Sequence, residues 1–338
     1  MRLTILGAGS WGIALAVLLS RRGHVVSMWE FNSDDAAMLN EKREHANKLP
    51  GISIPEEIFI TDNISQAFAD ADYVICAVPA QTMRSTMKAI AGSVPRTGIS
   101  DVRCWIIVSK GIECGSLKLM SEVLAGEISG LSDSRIVVLS GPSHAEEVSR
   151  GIPTTVVAAS HNRALAEEVQ REFSTDSFRV YTNTDVVGVE LAAGVKNVIA
   201  VAAGICDGLG FGDNTKGAIL TRGMVEMVRL GKKMGADERT FSGLAGIGDL
   251  ITTCMSKHSR NRKIGEMIGK GLSLEQALKN MVMVAEGVET TKSVYELAGK
   301  YEIEMPITTE VYRSLFENKS AREAARDLMM REFKPERW

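Results

Sequence analysis

The sequence contains few cysteines, and they are not arranged as in a metal site. The five cysteines are dispersed at positions 76, 104, 114, 206 and 254. None belongs to a CxxC pair or to a Cys/His cluster with the spacing of zinc ligands. We therefore expect free thiols in a reducing compartment, where disulfides are rare, and no bound metal.

An excess of either charge is also missing. The 338 residues include 39 basic and 42 acidic side chains, a net charge of −3, and no long basic run. Because nucleic acids bind strongly basic surfaces, this balance argues against a nucleic-acid partner. The hydrophobic content of 45% is that of an ordinary globular protein, and a chain of this length buries enough core without disulfides or metals.

Long apolar runs are absent as well. Gly, Lys or Asp interrupts the longest of them short of the length of a membrane span. At the amino terminus, residues 3–6 lead directly into a glycine-rich turn, which leaves no room for a signal peptide. We expect a cytoplasmic protein without a membrane span.

The first half of the sequence consists of short apolar runs that alternate with helical patterns. Each run is apolar throughout, which is typical of a strand buried on both faces. The runs occupy residues 3–6, 25–29, 73–78, 104–108, 136–139 and 155–159, and the strand character fades after residues 178–181. Strands that alternate with helices predict a parallel, doubly wound sheet of the Rossmann type.

After residue 185 the strand character ends. Helical patterns separated by glycine-rich loops follow, and one such loop, residues 207–214, has three alternating glycines outside any strand–helix turn. We predict a dinucleotide-binding domain over residues 1–185 and an all-α substrate and catalytic domain over residues 186–338.

The segment GAGSWG, residues 7–12, matches the pattern G-x-G-x-x-G between the first predicted strand and a helix. This setting is what makes the pattern specific for a dinucleotide-binding turn rather than a purely structural one. Gly7 permits the tight turn, Gly9 lets the backbone approach a pyrophosphate, and Gly12 lets the helix pack against the strand. The helix amino terminus would then offer its N–H groups to the phosphates.

Ligands bind to such sheets beyond the carboxyl ends of the strands. The residues that follow four of the predicted strands are Gly7, Pro79, Lys110 and Ser143. We therefore expect them to border one crevice.

Glu30 closes the second predicted strand, where a carboxylate accepts hydrogen bonds from ribose hydroxyls and repels a 2′-phosphate. The next residue is Phe31, and no arginine follows closely. These residues favour NAD(H), with NADP(H) as the alternative. Glu30 could instead be a solvated charge at a strand end.

Lys196 is the single ionisable residue of an apolar predicted helix, residues 191–203, and its neighbours at helical spacing are alanines. Burial lowers the pKa of an amine towards neutrality, which suits a general acid or base. The alternatives are a lysine that reaches solvent from a helix end and one half of a buried ion pair. Asn197, also unusual on an apolar helix, favours a functional site.

Two later segments place charge in informative positions. Asp249 lies among small and apolar residues, either as a helix N-cap or as a group that positions the lysine. Residues 257–263, KHSRNRK, are predicted to open a helix. Hydroxyl, guanidinium and amide groups at a helix amino terminus suit a phosphate, although a solvated basic turn is an equal alternative.

Together these motifs resemble the NAD(P)-dependent glycerol-3-phosphate dehydrogenase family over nearly the whole chain. Besides GAGSWG, the matching stretches are residues 108–113, 140–145, 190–200, 204–216, 246–254, 259–262 and 284–287. Their joint occurrence in this order is highly specific. The resemblance implies reversible hydride transfer between NAD(P)H and dihydroxyacetone phosphate, which gives sn-glycerol 3-phosphate for phospholipid synthesis, and it implies a homodimer.

The resemblance also implies roles for individual residues. Lys196 would be the proton donor and acceptor, and Lys110 and Asp249 would line the substrate and support that lysine. The implied substrate-binding residues are Lys110, Gly141, Ser143, Lys196, Asp249, Thr253, Ser259, Arg260 and Asn261. With the glycine turn and Glu30 included, the predicted cofactor-binding residues are Gly7, Gly9, Ser10, Trp11, Gly12, Glu30, Phe31, Lys110, Ala145, Arg260, Val284 and Glu286. Many similar bacterial members carry Arg or His at the position of Phe31, so this departure also puts NADP use in doubt.

Two other functions stay open at this point. One is a related two-domain dehydrogenase that acts on another small hydroxy acid or an opine, although the basic segment 259–261 favours a phosphorylated substrate. The other is a dinucleotide-sensing protein without catalysis. Such a regulator usually carries a DNA-binding module, and no segment of this sequence is left for one.

Overall fold

The computed structural model describes residues 1–336 and begins with a sheet flanked by helices. The strands are β1 (Arg2–Leu6), β2 (Val25–Trp29), β3 (Phe59–Thr61), β4 (Tyr73–Cys76), β5 (Cys104–Ile107), β6 (Ile136–Ser140), β7 (Thr154–Ala159) and β8 (Phe178–Asn183). The helices of this half are α1 (Ser10–Arg21), α2 (Ser33–Lys42), α3 (Ile64–Ala67), α4 (Met83–Ser93), α5 (Arg96–Asp101), α6 (Met120–Glu127), α7 (Ala145–Val148) and α8 (Arg163–Phe173).

The second half is helical throughout the part that the structure describes. Its helices are α9 (Val186–Gly208), α10 (Asp213–Lys233), α11 (Glu238–Phe241), α12 (Asp249–Met255), α13 (Arg260–Gly269), α14 (Leu274–Lys279), α15 (Glu286–Lys300), α16 (Pro306–Phe316) and α17 (Ala321–Met329). A kinked turn, Leu244–Gly248, leads into α12. The predicted architecture, a Rossmann-type sheet followed by helices, is confirmed.

The eight strands form one sheet in the order β3-β2-β1-β4-β5-β6-β7-β8. All neighbours are parallel except β6 and β7, which are antiparallel. The sheet thus departs from the predicted parallel arrangement at this one pair. The segment between β6 and β7 contains only the four-residue helix α7, too short to carry the chain across a sheet face as a parallel connection requires.

Each central strand is buried on both faces, as the apolar runs predict. In β4, Tyr73 and Ile75 belong to the core on one side of the sheet, and Val74 and Cys76 belong to the core on the other side. Successive side chains point to opposite faces, so both faces need apolar residues. The short edge strand β3 was not predicted because three residues are too few to produce a recognisable run.

The glycine turn connects β1 to α1. Gly7 adopts a φ of +102°, which favours glycine, and its N–H donates to the carbonyl of Trp29 at 2.8 Å. A Cβ on Gly12 would lie 2.0 Å from the carbonyl oxygen of Gly7. Glycine at both positions therefore lets the first turn of α1 sit directly against the end of the strand.

Helix α9 is the core of the helical half. It has 23 residues, and its apolar window is long enough to cross a membrane by length and composition, with 94% of that window buried inside the protein. The expectation that no apolar stretch reaches this length was therefore wrong. The burial shows why the stretch is so apolar, since α10, α12, α13 and α15 all pack around it.

Helix α13 crosses α9 at backbone contact. A Cβ on Gly265 would lie 2.0 Å from the carbonyl oxygen of Val201, and one on Gly204 would lie 2.0 Å from that of Arg262. Small residues on both helices permit this close approach. It brings the first turn of α13, which begins at Arg260, beside the middle of α9, where Lys196 lies.

We propose that residues 1–185 and 186–338 form two domains, as the sequence predicts. Strand β8 ends at Asn183 and α9 begins at Val186, with Asp185 as its N-cap. The last two residues of the second range lie outside the described residues.

Gly265→Ala should destabilise the protein, because the added methyl group has no room at the α9–α13 crossing. The cost of overpacking a well-packed contact is typically about 1–3 kcal/mol. Urea unfolding followed by circular dichroism measures the free energy of unfolding. Gly217→Ala in α10 is the matched control, since a Cβ there meets nothing within 4 Å and the helix gains propensity. Equal stability of the two variants would contradict the packing argument.

Candidate functional site

One cavity of about 790 Å³ lies where the carboxyl ends of the strands face α9, α12 and α13. Gly7, Pro79, Lys110 and Ser143 all line it, which confirms the crevice expected at the ends of four strands. The glycine turn and Lys196 are thus parts of a single cavity, although they belong to different halves of the chain.

Most of the predicted site residues meet in this cavity. Those that line it are Gly7, Gly9, Ser10, Trp11, Glu30, Phe31, Lys110, Ser143, Ala145, Lys196, Asp249, Thr253, Ser259, Arg260, Asn261, Val284 and Glu286. Gly12 and Gly141 do not line it. Gly12 packs beneath the turn, and Gly141 offers its carbonyl oxygen to the ammonium of Lys110 at 3.0 Å.

The centre of the cavity contains two lysines that share one carboxylate. The Lys196 Nζ donates to Asp249 Oδ1 at 2.7 Å and to Thr253 Oγ1 at 2.6 Å. The Lys110 Nζ donates to the other carboxylate oxygen, Asp249 Oδ2, at 2.8 Å. Lys196 and Asp249 are 4% and 2% exposed, so this is a buried ion pair.

The structure therefore decides between the interpretations of two residues. Lys196 is one half of a buried ion pair and does not reach solvent from a helix end. Asp249 is the first residue of α12, whereas Gly248 is its N-cap, so the common capping role was wrong. The sequence could not show the partner of Lys196 because Asp249 lies on another helix.

Burial and charge act on these groups in opposite directions. Burial lowers the pKa of Lys196 to about 8, and the Asp249 carboxylate only partly offsets this effect. Burial raises the pKa of Asp249, but the two ammonium groups outweigh it and hold that pKa below its usual value. The result is an anionic carboxylate beside an amine that can gain or lose a proton near neutral pH.

A series of hydrogen bonds between side-chain amides joins the region of Lys110 and Lys196 to α13. The Asn197 Nδ2 donates to the carbonyl of Lys110 at 3.1 Å, and the Asn261 Nδ2 donates to Asn197 Oδ1 at 2.9 Å. The Gly287 N–H then donates to Asn261 Oδ1 at 2.9 Å. Both amide side chains are thereby fixed in orientation. The sequence marks Asn197 as unusual on an apolar helix but predicts no role for it.

Residues 257–263 do open a helix, as predicted. Ser259 is the N-cap of α13, and its hydroxyl accepts from the N–H of Arg262 at 3.1 Å. The Arg262 guanidinium is bound to Asp207 at 2.6 Å and does not line the cavity, whereas that of Arg260 does. Burial lowers the pKa of Arg260, and the carboxylates of Glu286 and Glu146 oppose this effect.

At the glycine-turn end, Glu30 is 3% exposed. Its carboxylate accepts from the N–H of Ala8 at 3.3 Å and from that of Asn32 at 3.2 Å. The alternative of a solvated strand-end charge was therefore wrong. The side chain of Phe31 beside it is 76% exposed.

The turn has space and donors for a phosphate group. A Cβ on Gly9 would meet nothing within 4 Å, and Gly9 caps α1 without any side-chain hydrogen bond to the helix. Ser10 and Trp11 of the first turn of α1 line the cavity. The first N–H groups of a helix have no partner within the helix and are free to donate to a ligand. These residues fit the pyrophosphate of a dinucleotide.

Glu286 carries an unsatisfied oxygen. Its Oε1 accepts from the N–H of Ala80 at 3.0 Å, whereas its Oε2 is buried without a hydrogen-bond partner among the described residues. Burial raises the pKa of this carboxyl, against the effects of the Ala80 N–H and of Arg260. A buried polar atom without a partner at a cavity wall is suited to a ligand.

Both halves of the chain match models of one protein family. The family model for the NAD-dependent glycerol-3-phosphate dehydrogenase N-terminus matches residues 2–166, and the model for the C-terminus matches residues 185–326. The chain belongs to this family. It is accordingly an NAD(P)-dependent oxidoreductase.

Individual relatives agree with this assignment. The glycerol-3-phosphate dehydrogenase [NAD(P)+] of Prosthecochloris aestuarii is 53% identical over 99% of this chain and 100% of its own length. The corresponding protein of Fusobacterium nucleatum is 45% identical over 99% and 98%. The crystal structure of the glycerol-3-phosphate dehydrogenase from Coxiella burnetii superposes with a TM-score of 0.92 at 35% identity, covering 98% of this chain and 99% of that one.

More distant structures share the fold alone. D-mandelate dehydrogenase superposes with a TM-score of 0.65 at 11% identity, covering 98% of this chain and 100% of its own. A ketopantoate reductase from Ralstonia eutropha reaches 0.58 at 14%, covering 97% and 100%.

Several residues of the cavity wall were not predicted. Trp29, Lys48 and His144 line it beside the predicted residues. Lys48 comes from the irregular segment between α2 and β3, where no periodic pattern marks a position as facing a cavity. Only the folded chain brings such residues to the site.

Two further observations concern other parts of the molecule. Within residues 1–336, no group of three or more His, Cys, Asp or Glu side chains is placed to hold a metal ion. A second cavity, of about 680 Å³, lies among α9, α10, α16 and α17, and none of the predicted site residues lines it.

Proposed function

We propose that the chain catalyses reversible hydride transfer between a nicotinamide dinucleotide and dihydroxyacetone phosphate, with sn-glycerol 3-phosphate as the reduced product. The observation that carries the proposal is the sharing of Asp249 by Lys110 and Lys196 inside the cavity of the glycine turn. The family assignment and the names of the relatives support this substrate.

The substrate phosphate would bind at the amino terminus of α13. Arg260 brings a half-buried guanidinium to the cavity, and the orientation of Asn261 is fixed through Asn197. The positive end of the helix dipole adds to the attraction for an anion. Binding energy from this remote phosphate would align the carbonyl carbon with the reacting groups, with Ser143, Gly141 and Ser259 nearby.

Lys196 acts as the general acid and base. During reduction it donates its proton to the C2 oxygen, while the Lys110 ammonium stabilises the negative charge that develops there. During oxidation neutral Lys196 removes the hydroxyl proton. Asp249 and Thr253 hold the amine in place through the hydrogen bonds described above.

The cofactor would lie along the glycine turn and supply or accept the hydride. Gly7, Gly9, Ser10 and Trp11 would hold its pyrophosphate, with Gly12 packing the helix beneath them. Glu30 at the ribose favours NAD(H), and NADP(H) is the alternative. The rest of the cofactor would be surrounded by Phe31, Lys110, Ala145, Arg260, Val284 and Glu286.

The wider setting is also a proposal. A cytoplasmic homodimer that supplies sn-glycerol 3-phosphate for phospholipid synthesis fits the family. No metal ion and no nucleic acid takes part in it.

The decisive experiment follows NADH absorbance in the presence and absence of dihydroxyacetone phosphate. Oxidation of NADH that depends on this substrate is expected. If a 2-oxo acid were reduced instead, the hydroxy-acid alternative would hold. Tight NADH binding without turnover of either substrate would favour a dinucleotide sensor.

Lys196→Met should remove the proton transfer and leave the cofactor site intact. General acid–base catalysis contributes about 10²- to 10⁴-fold, so kcat should fall by at least that range while the Kd for NADH stays nearly unchanged. Stopped-flow turnover and fluorescence titration measure the two quantities. Lys270→Met is the matched control and should keep wild-type rates, since Lys270 is the exposed C-cap residue of α13. Wild-type turnover by Lys196→Met would disprove the assignment.

The pH dependence should differ in sign between the two directions. Reduction needs protonated Lys196, so its kcat/KM should fall as pH rises through about 8, the pKa of Lys196. Oxidation needs the neutral amine, so its kcat/KM should rise over the same range. Asp249→Asn should move both midpoints to lower pH because the carboxylate raises the Lys196 pKa. Initial rates across this range test the assignment, and flat profiles in both directions would count against it.

Arg260→Ala should mainly weaken substrate binding. Loss of a charge-assisted contact to phosphate is worth about 1.5–3 kcal/mol, roughly a 10- to 100-fold rise in the KM for dihydroxyacetone phosphate. Steady-state kinetics at saturating NADH measures this KM. Arg163→Ala provides the control, since Arg163 is an exposed residue at the start of α8. An unchanged KM in Arg260→Ala would rule out the phosphate role.

A further inference from the structure

Lys48 lies in an ordered loop at the glycine-turn end of the cavity. The loop connects α2 to β3 and is held by backbone hydrogen bonds from Ile54 to Arg43 at 2.7 Å and from Leu49 to His45 at 2.9 Å. The side chain of Leu49, next to Lys48, is buried in the core. These contacts fix the backbone from which Lys48 reaches the cavity wall.

The ammonium of Lys48 lies between two carboxylates. Its Nζ is 3.3 Å from Asp35 Oδ2 and 4.0 Å from Glu30 Oε2. The side chain is 24% exposed, and the Asp35 side chain is 38% exposed. The shorter contact is thus to the more exposed carboxylate. Because exposed ion pairs contribute little free energy, Lys48 loses little when it leaves Asp35 for another anion.

Lys48 is set apart from the other cations of the cavity. Within the described chain, the lysines and arginines that line the cavity are Lys48, Lys110, Lys196 and Arg260. Lys110 and Lys196 are joined at Asp249, and Arg260 begins α13. Among these four cations, Lys48 is the one at the glycine-turn end of the cavity, where Glu30 lies.

The Glu30 carboxylate is held in place by hydrogen bonds from backbone N–H groups. Both of its oxygens accept from N–H groups, those of Ala8 and Asn32, so the carboxylate cannot turn away from the cavity without losing them. A phosphate near Glu30 would be repelled unless a cation stands beside it. Lys48 occupies that position.

We propose that Lys48 is the specificity-determining residue that admits a cofactor with a 2′-phosphate to this site. With such a cofactor, the Lys48 ammonium exchanges Asp35 for the phosphate and screens it from Glu30. With NAD(H), Lys48 stays with Asp35 and Glu30 faces the ribose hydroxyls. The inference rests on the proposed function for the position of the cofactor and refines its preference for NAD(H).

The test uses two ligands without a nicotinamide ring, ADP-ribose and 2′-phospho-ADP-ribose, in calorimetric titrations of the full chain. Lys48→Met should weaken binding of 2′-phospho-ADP-ribose by about 10-fold or more, the loss expected for one charge-assisted contact, and change that of ADP-ribose by less than about 3-fold. Lys48→Arg keeps the charge and should retain most of the affinity. Asp35→Asn should strengthen binding of 2′-phospho-ADP-ribose, because it frees the ammonium.

Lys42→Met is the matched control. Lys42 is exposed at the end of α2 and does not line the cavity, so both affinities should stay at their wild-type values. Melting temperatures of all variants check that the loop still folds. Equal effects of Lys48→Met on the two ligands, no effect on either, or failure of the wild type to bind 2′-phospho-ADP-ribose would each overturn the proposal.

Turnover separates this proposal from the proposed function. With dihydroxyacetone phosphate as substrate, Lys48→Met should lower the ratio of kcat/KM for NADPH to that for NADH by about 10-fold. A wild type that binds both ligands but never reduces dihydroxyacetone phosphate would overturn the proposed reaction and leave the role of Lys48 intact. An unchanged ratio in an active Lys48→Met variant would overturn the role of Lys48 alone.

Discussion

The shared carboxylate of Asp249 is the interaction on which the site depends. Lys110 follows a strand of the sheet, Lys196 lies on the central helix α9, and Asp249 begins α12, so the contact joins three parts of the chain. Two ammonium groups in a buried cavity would repel each other and lose hydration. One carboxylate with an oxygen for each of them makes this arrangement possible, and its loss would leave uncompensated buried charge.

Close helix packing determines what lies around this centre. The glycines at the α9–α13 crossing let the backbones touch, and the Asn197–Asn261 hydrogen bond continues the contact towards the cavity. The basic first turn of α13 is therefore held at a fixed distance from Lys196. A substrate that spans both would be oriented by rigid elements rather than by loops, which is how binding energy is converted into alignment.

Much of the fold could be predicted because its signals are local. Fully apolar runs mark buried strands, and GAGSWG between a strand and a helix marks the turn of a dinucleotide site. The antiparallel pairing of β6 and β7 and the short edge strand β3 were missed. Strand direction depends on how a connection packs, and three residues carry too little pattern.

The sequence by itself determined the Rossmann-type architecture, the glycine turn, the unusual Lys196 and the basic start of α13, because each depends on neighbours within a few positions. Tertiary structure alone decided the partner of Lys196, since Asp249 reaches it only when α12 packs on α9. It also decided that Glu30 is buried against the turn and that Lys48 stands beside it. Contacts between side chains far apart in sequence exist only once burial and packing have fixed the backbone.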